Sequence, residues 1–99
     1  MADYQLTDRA NAELDQIYEY SILNFGLKKA REYFGGFHDC FAILAENPRM
    51  GRDYSHVKTG IRRHEYESHS IYYSITDTGI LIVQVLHKNQ DPGLNLLKK

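Results

Sequence analysis

Two groups of residues in this sequence carry chemistry. The first, His64-Glu-Tyr-Glu-Ser-His69, puts two imidazoles and two carboxylates into six residues. A zinc-protease helix spaces its histidines four apart so that both rings face one way. Here the spacing is five and the segment is punctuated like a hairpin, so these are read as solvated hairpin residues and no metal site is expected. A two-residue turn would set Tyr66 against His69 and His64 against Ile71, and a three-residue turn would set Tyr66 against Ser70. The second group is Arg62-Arg63 with Arg49, Arg52, Lys58, His87 and Lys88, a possible phosphate-binding patch. Neighbours on a strand point to opposite faces, so at most one of Arg62 and Arg63 serves a given surface. His87 ends an apolar run and could act as acid or base, but a backbone-bonded histidine is the commoner fate of that position. No serine sits in a Gly-x-Ser-x-Gly elbow, and Gly51 and Gly60 are too isolated to cradle phosphate.

These residues must be positioned by three strands. Ile61 to Tyr66, Ser70 to Thr76 and Ile80 to Lys88 are apolar runs, separated by Glu67-Ser68, with or without His69, and by Asp77-Thr78-Gly79, connections short enough only for hairpins. The last run is apolar on both parities, so it belongs inside the sheet. Upstream, Asp3 to Leu6 reads as a short strand and Thr7 or Asp8 as a helix N-cap. Ala10, Leu14, Ile17, Tyr18, Ser21 and Phe25 share one helical face, ended by Gly26. Leu27, Ala30, Phe34, Phe37, Phe41 and Leu44 line a second helix, stopped at Asn47-Pro48. So short a connection makes the two an antiparallel hairpin. Gly35-Gly36 inside the second helix implies either a bend or a neighbour close to its backbone, and the second is preferred here, with the other helix closing over Tyr18, Phe34 and Phe37. A polar stretch of about a dozen residues, from Arg49 to Gly60, is long enough to be functional or mobile. The expected fold class is α+β in two layers, an N-terminal strand and helical hairpin on an antiparallel meander (β-α-α-β-β-β), in a single domain over residues 1–99.

Ninety-nine residues allow one core but no deep enclosed site, which favours a function built on the surface. Twelve Lys and Arg against thirteen Asp and Glu argue against strong direct nucleic-acid binding held by overall charge. One cysteine, Cys40, rules out an internal disulfide and suits a reducing compartment. Neither a basic-then-apolar leader nor a run of about 20 apolar residues is present, so a cytoplasmic protein with no membrane partner is expected. Eight tyrosines suit half-exposed faces and recognition.

In that order of elements, six pieces resemble one family. Leu6-Thr-Asp-Arg-Ala, Asp15-Gln-Ile-Tyr-Glu-Tyr, Ala45-Glu-Asn-Pro-Arg-Met-Gly-Arg, Gly60-Ile-Arg-Arg, Ile71-Tyr-Tyr and Val85-Leu-His-Lys-Asn-Gln-Asp-Pro look like the ParE toxins of the ParE/RelE superfamily. The chain departs from the pattern at Gly35-Gly36 and at His64 and Glu65, where the family has a more apolar strand. The resemblance implies the toxin of a bacterial type II toxin-antitoxin pair, with a role in plasmid stabilisation, neutralised by a small ParD-like antitoxin. ParE-like members are linked to poisoning of DNA gyrase and RelE-like members to cutting messenger RNA on the ribosome. RelE-like toxins tend to be markedly basic and place an arginine near the end of the last strands, where this chain has Val85-Leu-His-Lys-Asn-Gln-Asp. A non-enzymatic gyrase inhibitor without a cofactor is therefore expected, with Arg62, Arg63, His87, Lys88, Leu94, Leu96 and Leu97 as target contacts. The alternatives are a ribonuclease using Arg62 or Arg63 with His87, and a degenerate toxin that only holds its antitoxin. Tyr20, Leu23, Tyr33 and Ile43 lie off the core stripe and are the expected exposed anchors for the antitoxin.

Overall fold

Thr7 turns an extended segment into a helix, and that junction fixes the architecture. In the computed structural model, which describes residues 2–90, β1 (Asp3–Leu6) leads into α1 (Asp8–Phe25), whose first turn is closed by the Ala10 N–H donating to Thr7 Oγ1 at 3.1 Å. Gly26, at φ 90°, ends α1 in a conformation that suits glycine, and its N–H still reaches Ile22 O at 3.0 Å. The chain then re-enters helix as α2 (Leu27–Glu46). Asn47 ends α2 with both its N–H and its Nδ2 on the Ile43 carbonyl.

The expected meander is present as β3 (Ile61–Tyr66), β4 (His69–Ile75) and β5 (Gly79–His87). Its first turn has two residues, so Tyr66 opposes His69 and His64 opposes Ile71. Glu67 there takes a positive φ of 53°. Two strands extend the sheet beyond the meander. β1 lies parallel to β5, and a two-residue β2 (Arg52–Asp53) lies antiparallel to β3, giving the order β1-β5-β4-β3-β2. The N-terminal strand is thus part of the sheet rather than of the layer packed on it. β5 is interior, as its apolar pattern demands. Gly79 is required by that pairing, since a Cβ there would collide with the Asp3 backbone. One register shift occurs: Tyr72 opposes Gln84 and Tyr73 opposes Ile82, which leaves Val83 as a bulge.

One sheet face carries the helices, burying Ala10, Leu14, Phe37, Phe41 and Leu44 against Ile71, Tyr73, Ile80, Ile82 and Val85. The other face packs Ile61, Tyr72 and Leu86 under Tyr54 and Val57. The 49–60 connection is therefore fastened rather than loose. A 3-10 turn over Pro48–Met50 opens it, Tyr73 OH donates to Pro48 O at 2.7 Å and accepts the Gly51 N–H at 2.9 Å, and Arg62 Nε donates to Gly51 O at 2.8 Å. Phe25 and Leu27 are not core residues: they are 61% and 46% exposed at the tip of the hairpin, where each helix ends. Tyr18 and Phe34 do meet between the helices, with ring centroids 5.1 Å apart.

Gly35-Gly36 has a different neighbour from the one expected. A Cβ on Gly36 would meet the Tyr66 hydroxyl of β3, whereas a Cβ on Gly35 meets nothing within 4 Å. Tyr66 has little freedom to retreat, because it stacks on Tyr33 (5.5 Å) and against Phe37 (4.9 Å). The two glycines should therefore respond oppositely to alanine. Gly35→Ala gains helix propensity, raising stability by about 0.5–1 kcal/mol in chemical denaturation. Gly36→Ala displaces a packed ring and lowers stability by about 1–3 kcal/mol. Equal shifts of one sign would show that Tyr66 does not fill the Gly36 notch.

Candidate functional site

A groove of about 820 Å³ opens between α1, the start of α2 and the end of the sheet carrying the β3–β4 turn. It exists because β1 stops early. β1 pairs with β5 only as far as Ile82, so on that edge the second half of β5 has no strand beside it among the described residues. Helix α1 supplies the missing partners. The Thr7 N–H donates to Ile82 O at 3.0 Å, Thr7 Oγ1 donates to Val83 O at 3.2 Å, and the Val85 N–H donates to Glu13 Oε1 at 2.7 Å. Glu13 also accepts from Gln84 Nε2 at 3.3 Å and pairs with Arg9 at 3.6 Å. Burial nonetheless pushes the Glu13 carboxyl above its ordinary value, against the lowering effect of those donors. Gln84 Oε1 is buried without a partner among the described residues.

The two ends of the groove differ. Tyr20 and Phe25 line the end at the hairpin tip and are 63% and 61% exposed. At the sheet end, His69 and His87 are a cross-strand pair with ring centroids 5.6 Å apart. Tyr33 OH bonds His69 Nδ1 at 2.7 Å, and the Asn89 N–H donates to His87 Nδ1 at 3.3 Å. Burial first, and the neighbouring His87 second, hold His69 below the usual imidazole value. This tyrosine-histidine-histidine cluster was not anticipated. The two-residue turn contained its signal, since that register puts His69 at the start of β4 opposite the end of β5.

The residues singled out by sequence do not gather at one place. Arg62 opposes Tyr73 and donates to the Gly51 and Arg49 carbonyls. Arg63 opposes Tyr72, donates to Ser70 Oγ at 3.2 Å and Glu65 Oε2 at 2.8 Å, and lies over the Tyr54 and Tyr72 rings. His87 stands at the other end of the sheet, two strands away. Strand geometry puts its Cα roughly 14–16 Å from those of Arg62 and Arg63. His87 and Lys88 are exposed at the end of β5, while Leu94, Leu96 and Leu97 lie outside the described residues. Among the expected anchors, Tyr20, Leu23 (85%) and Ile43 (52%) are exposed. Tyr33 is not an exposed anchor: it is half-buried, its ring packed against Phe37 and Tyr66 and its hydroxyl held by His69. Ile43 sits 16 residues along α2 from Leu27, roughly 24 Å from the hairpin tip by helix rise, so it belongs to another surface. Among the described residues no three His, Cys, Asp or Glu side chains converge on a metal-holding geometry, and no helix is long and apolar enough to cross a membrane.

His69 gives the site a pH signature. Its folded-state pKa is depressed, as is that of partly buried His64, so both prefer to be neutral in the folded chain. That preference stabilises the fold fully above the unfolded value near 6.5 and is lost as pH falls towards the folded values. Stability should drop between pH 7 and 5 in urea titrations, and His69→Gln should flatten that drop. An unchanged slope in the variant would mean that His69 titrates as in the unfolded chain.

The family model for the ParE toxin of type II toxin-antitoxin systems, parDE, matches residues 4–92. Toxin ParE1 of Caulobacter vibrioides is 31% identical over 96 residues, spanning 97% of this chain and 99% of that protein. Toxin ParE1 of Mycobacterium tuberculosis is 31% identical over 94 residues, spanning 94% and 96%. A solved chain of the chromosomal ParDE TA system from P. aeruginosa shares the fold with a TM-score of 0.74 at 23% identity, covering 88% of this chain and 96% of that one. The chain belongs to the ParE toxin family of type II toxin-antitoxin systems.

Proposed function

We propose that the toxin acts by binding DNA gyrase, and that a small ParD-like antitoxin neutralises it by occupying the groove along α1. The observation that carries the antitoxin reading is the groove itself, an open channel with exposed Tyr20 and Phe25 at one end and hydrogen-bonding histidines at the other. Contiguous exposed apolar surface on so small a protein marks a place where another chain docks. The occupant that fits is an amphipathic helix, with apolar side chains towards the hairpin tip and polar ones towards His69 and His87.

A binding rather than a cutting toxin is supported by the separation of the arginines from His87. Phosphodiester cleavage needs an acid or base within hydrogen-bond reach of the scissile group and cations around the same phosphate. Arg62 and Arg63 serve opposite faces, each guanidinium is tied to protein partners, and His87 lies across the sheet from both. Cleavage-complex assays with purified gyrase should accumulate enzyme-bound cut DNA, while ribosome-programmed messenger RNA stays intact. His87→Gln should leave this poisoning unchanged. Cut RNA with unaffected gyrase would reverse the assignment.

The antitoxin reading has its own test. Tyr20→Ala and Phe25→Ala should each weaken capture of the cognate antitoxin by about 1–2 kcal/mol in calorimetry, as loss of an aromatic anchor does. Being exposed, neither should shift folding stability by more than about 0.5 kcal/mol. Undiminished affinity in both variants would move the antitoxin to another face.

A further inference from the structure

Charge in this chain is sorted by position. From Arg49 to Tyr66 five Arg and Lys stand against Asp53 and Glu65, while the rest of the chain holds seven against eleven. The topology keeps the two regions apart. Helix α1, with Asp8, Glu13, Asp15 and Glu19 against Arg9, packs on β1 and β5, and the basic stretch forms β2 and β3 at the opposite edge of the sheet. The molecule is 37 × 33 × 21 Å, several times the Debye length of about 8–10 Å at ordinary salt, so the acidic side is screened from that edge. The near-zero net charge therefore says little about what the edge attracts.

Within the edge, Arg52 stands directly opposite Arg63. Like charges in a cross-strand pair oppose folding. Arg63 is compensated by Glu65 and by the two tyrosine faces. Arg52 is not: it and Arg49 are exposed, and neither guanidinium has a partner among the described residues. Arg62 donates to two carbonyls and stands opposite Asp53, whose carboxyl its charge helps to lower. Asp53, the nearest carboxylate in the strand, is turned to Ser55, accepting from its N–H at 3.0 Å and its hydroxyl at 2.6 Å. A charge on a short edge strand is an ordinary defence against strand pairing. That accounts for Arg52 but not for Arg49, which stands off the strand.

We infer that the β2–β3 edge, with Arg49, Arg52 and Arg63, is a docking surface for the phosphate backbone of duplex DNA, bound without regard to sequence. Guanidiniums match phosphate oxygens two at a time, and a duplex offers the densest row of such anions, about one charge per 1.7 Å. A protein partner would need an apolar anchor at the centre of the contact. The aromatic rings here, Tyr54 and Tyr72, already lie beneath Arg63, and the large apolar side chain left exposed beside Arg49 is the single Met50. That occupation also removes the open stacking platform that single strands need.

The probe is a fluorescein-labelled 20-bp duplex of mixed sequence, titrated with the full chain and read by anisotropy. Contacts to about three phosphates give a log–log salt slope of about −3, so affinity should fall roughly sixtyfold between 50 and 200 mM salt. An Arg49→Glu/Arg52→Glu variant should bind at least tenfold more weakly at 50 mM. Its thermal midpoint should stay the same or rise, because the Arg52–Arg63 opposition is relieved. That combination separates a binding role from a structural one. Antitoxin capture by the groove should persist in the same variant, independently of whether gyrase is the target. The inference fails if the wild type does not bind at 50 mM, if the slope is near zero, or if the variant binds equally well. It also fails if polyglutamate or duplex RNA competes as well as the DNA, which would reassign the edge to an acidic protein or to RNA.

Discussion

The second half of β5 is the constraint on which this fold depends. A central strand needs hydrogen-bond partners along both edges, and an unpaired buried backbone group costs about 1–3 kcal/mol. β4 supplies one side throughout, but β1 supplies the other only as far as Ile82. The start of α1 completes it, with Thr7 taking the Ile82 and Val83 positions and the Glu13 carboxylate taking the Val85 N–H. The helix is thereby fixed to the strand by polar contacts at two successive turns, and the direction in which it leaves the sheet is set. The bulge at Val83 falls where β1 ends and the helix takes over. A change of partner and a change of register coincide there.

The groove follows from this arrangement. Because among the described residues a helix rather than a sixth strand lies beside Val85, the space between α1 and the β3–β4 turn is not filled by sheet. Glu13 is the cost of that design: burial disfavours its charged form even though three groups donate to it or pair with it. The tip of the hairpin extends past the sheet, and this is why Tyr20, Leu23, Phe25 and Leu27 are exposed together within eight residues. Exposed apolar side chains cost the folded chain little stability, since they are in water before and after folding. Their liability is association, which a bound partner removes.

Much of this was legible in the sequence wherever a pattern was local. The two-parity run in β5, the Thr7 cap, the Gly26 stop and the Asn47-Pro48 stop each rest on a few neighbouring residues, and each stands where it was expected. Sequence reasoning failed where the deciding contact was distant. Gly36 needed a close neighbour, but naming Tyr66 requires the packing of α2 on a hairpin thirty residues away. Tyr33 lies off the core stripe on a helical wheel, yet its ring is long enough to reach sideways to Tyr66 and His69. Phe25 and Leu27 keep the helical period but have no sheet beneath them. Nothing in a two-residue strand such as Arg52–Asp53 announces itself by periodicity. The parallel pairing of β1 was equally silent, because four residues fit any strand edge.

The chemistry of the groove constrains its occupant more than its shape does. At the sheet end the half-buried His69 and Glu13 are already desolvated and hydrogen-bonded within the chain. An occupant that covers them gains only by matching what they still offer to solvent, and one that buries them unmatched loses about 1–3 kcal/mol for each group. At the hairpin tip the reverse holds, since Tyr20 and Phe25 reward any apolar side chain of adequate size. For the antitoxin helix proposed here, affinity would therefore be concentrated at the tip, where many sequences would serve, and discrimination at the histidine end, where few would.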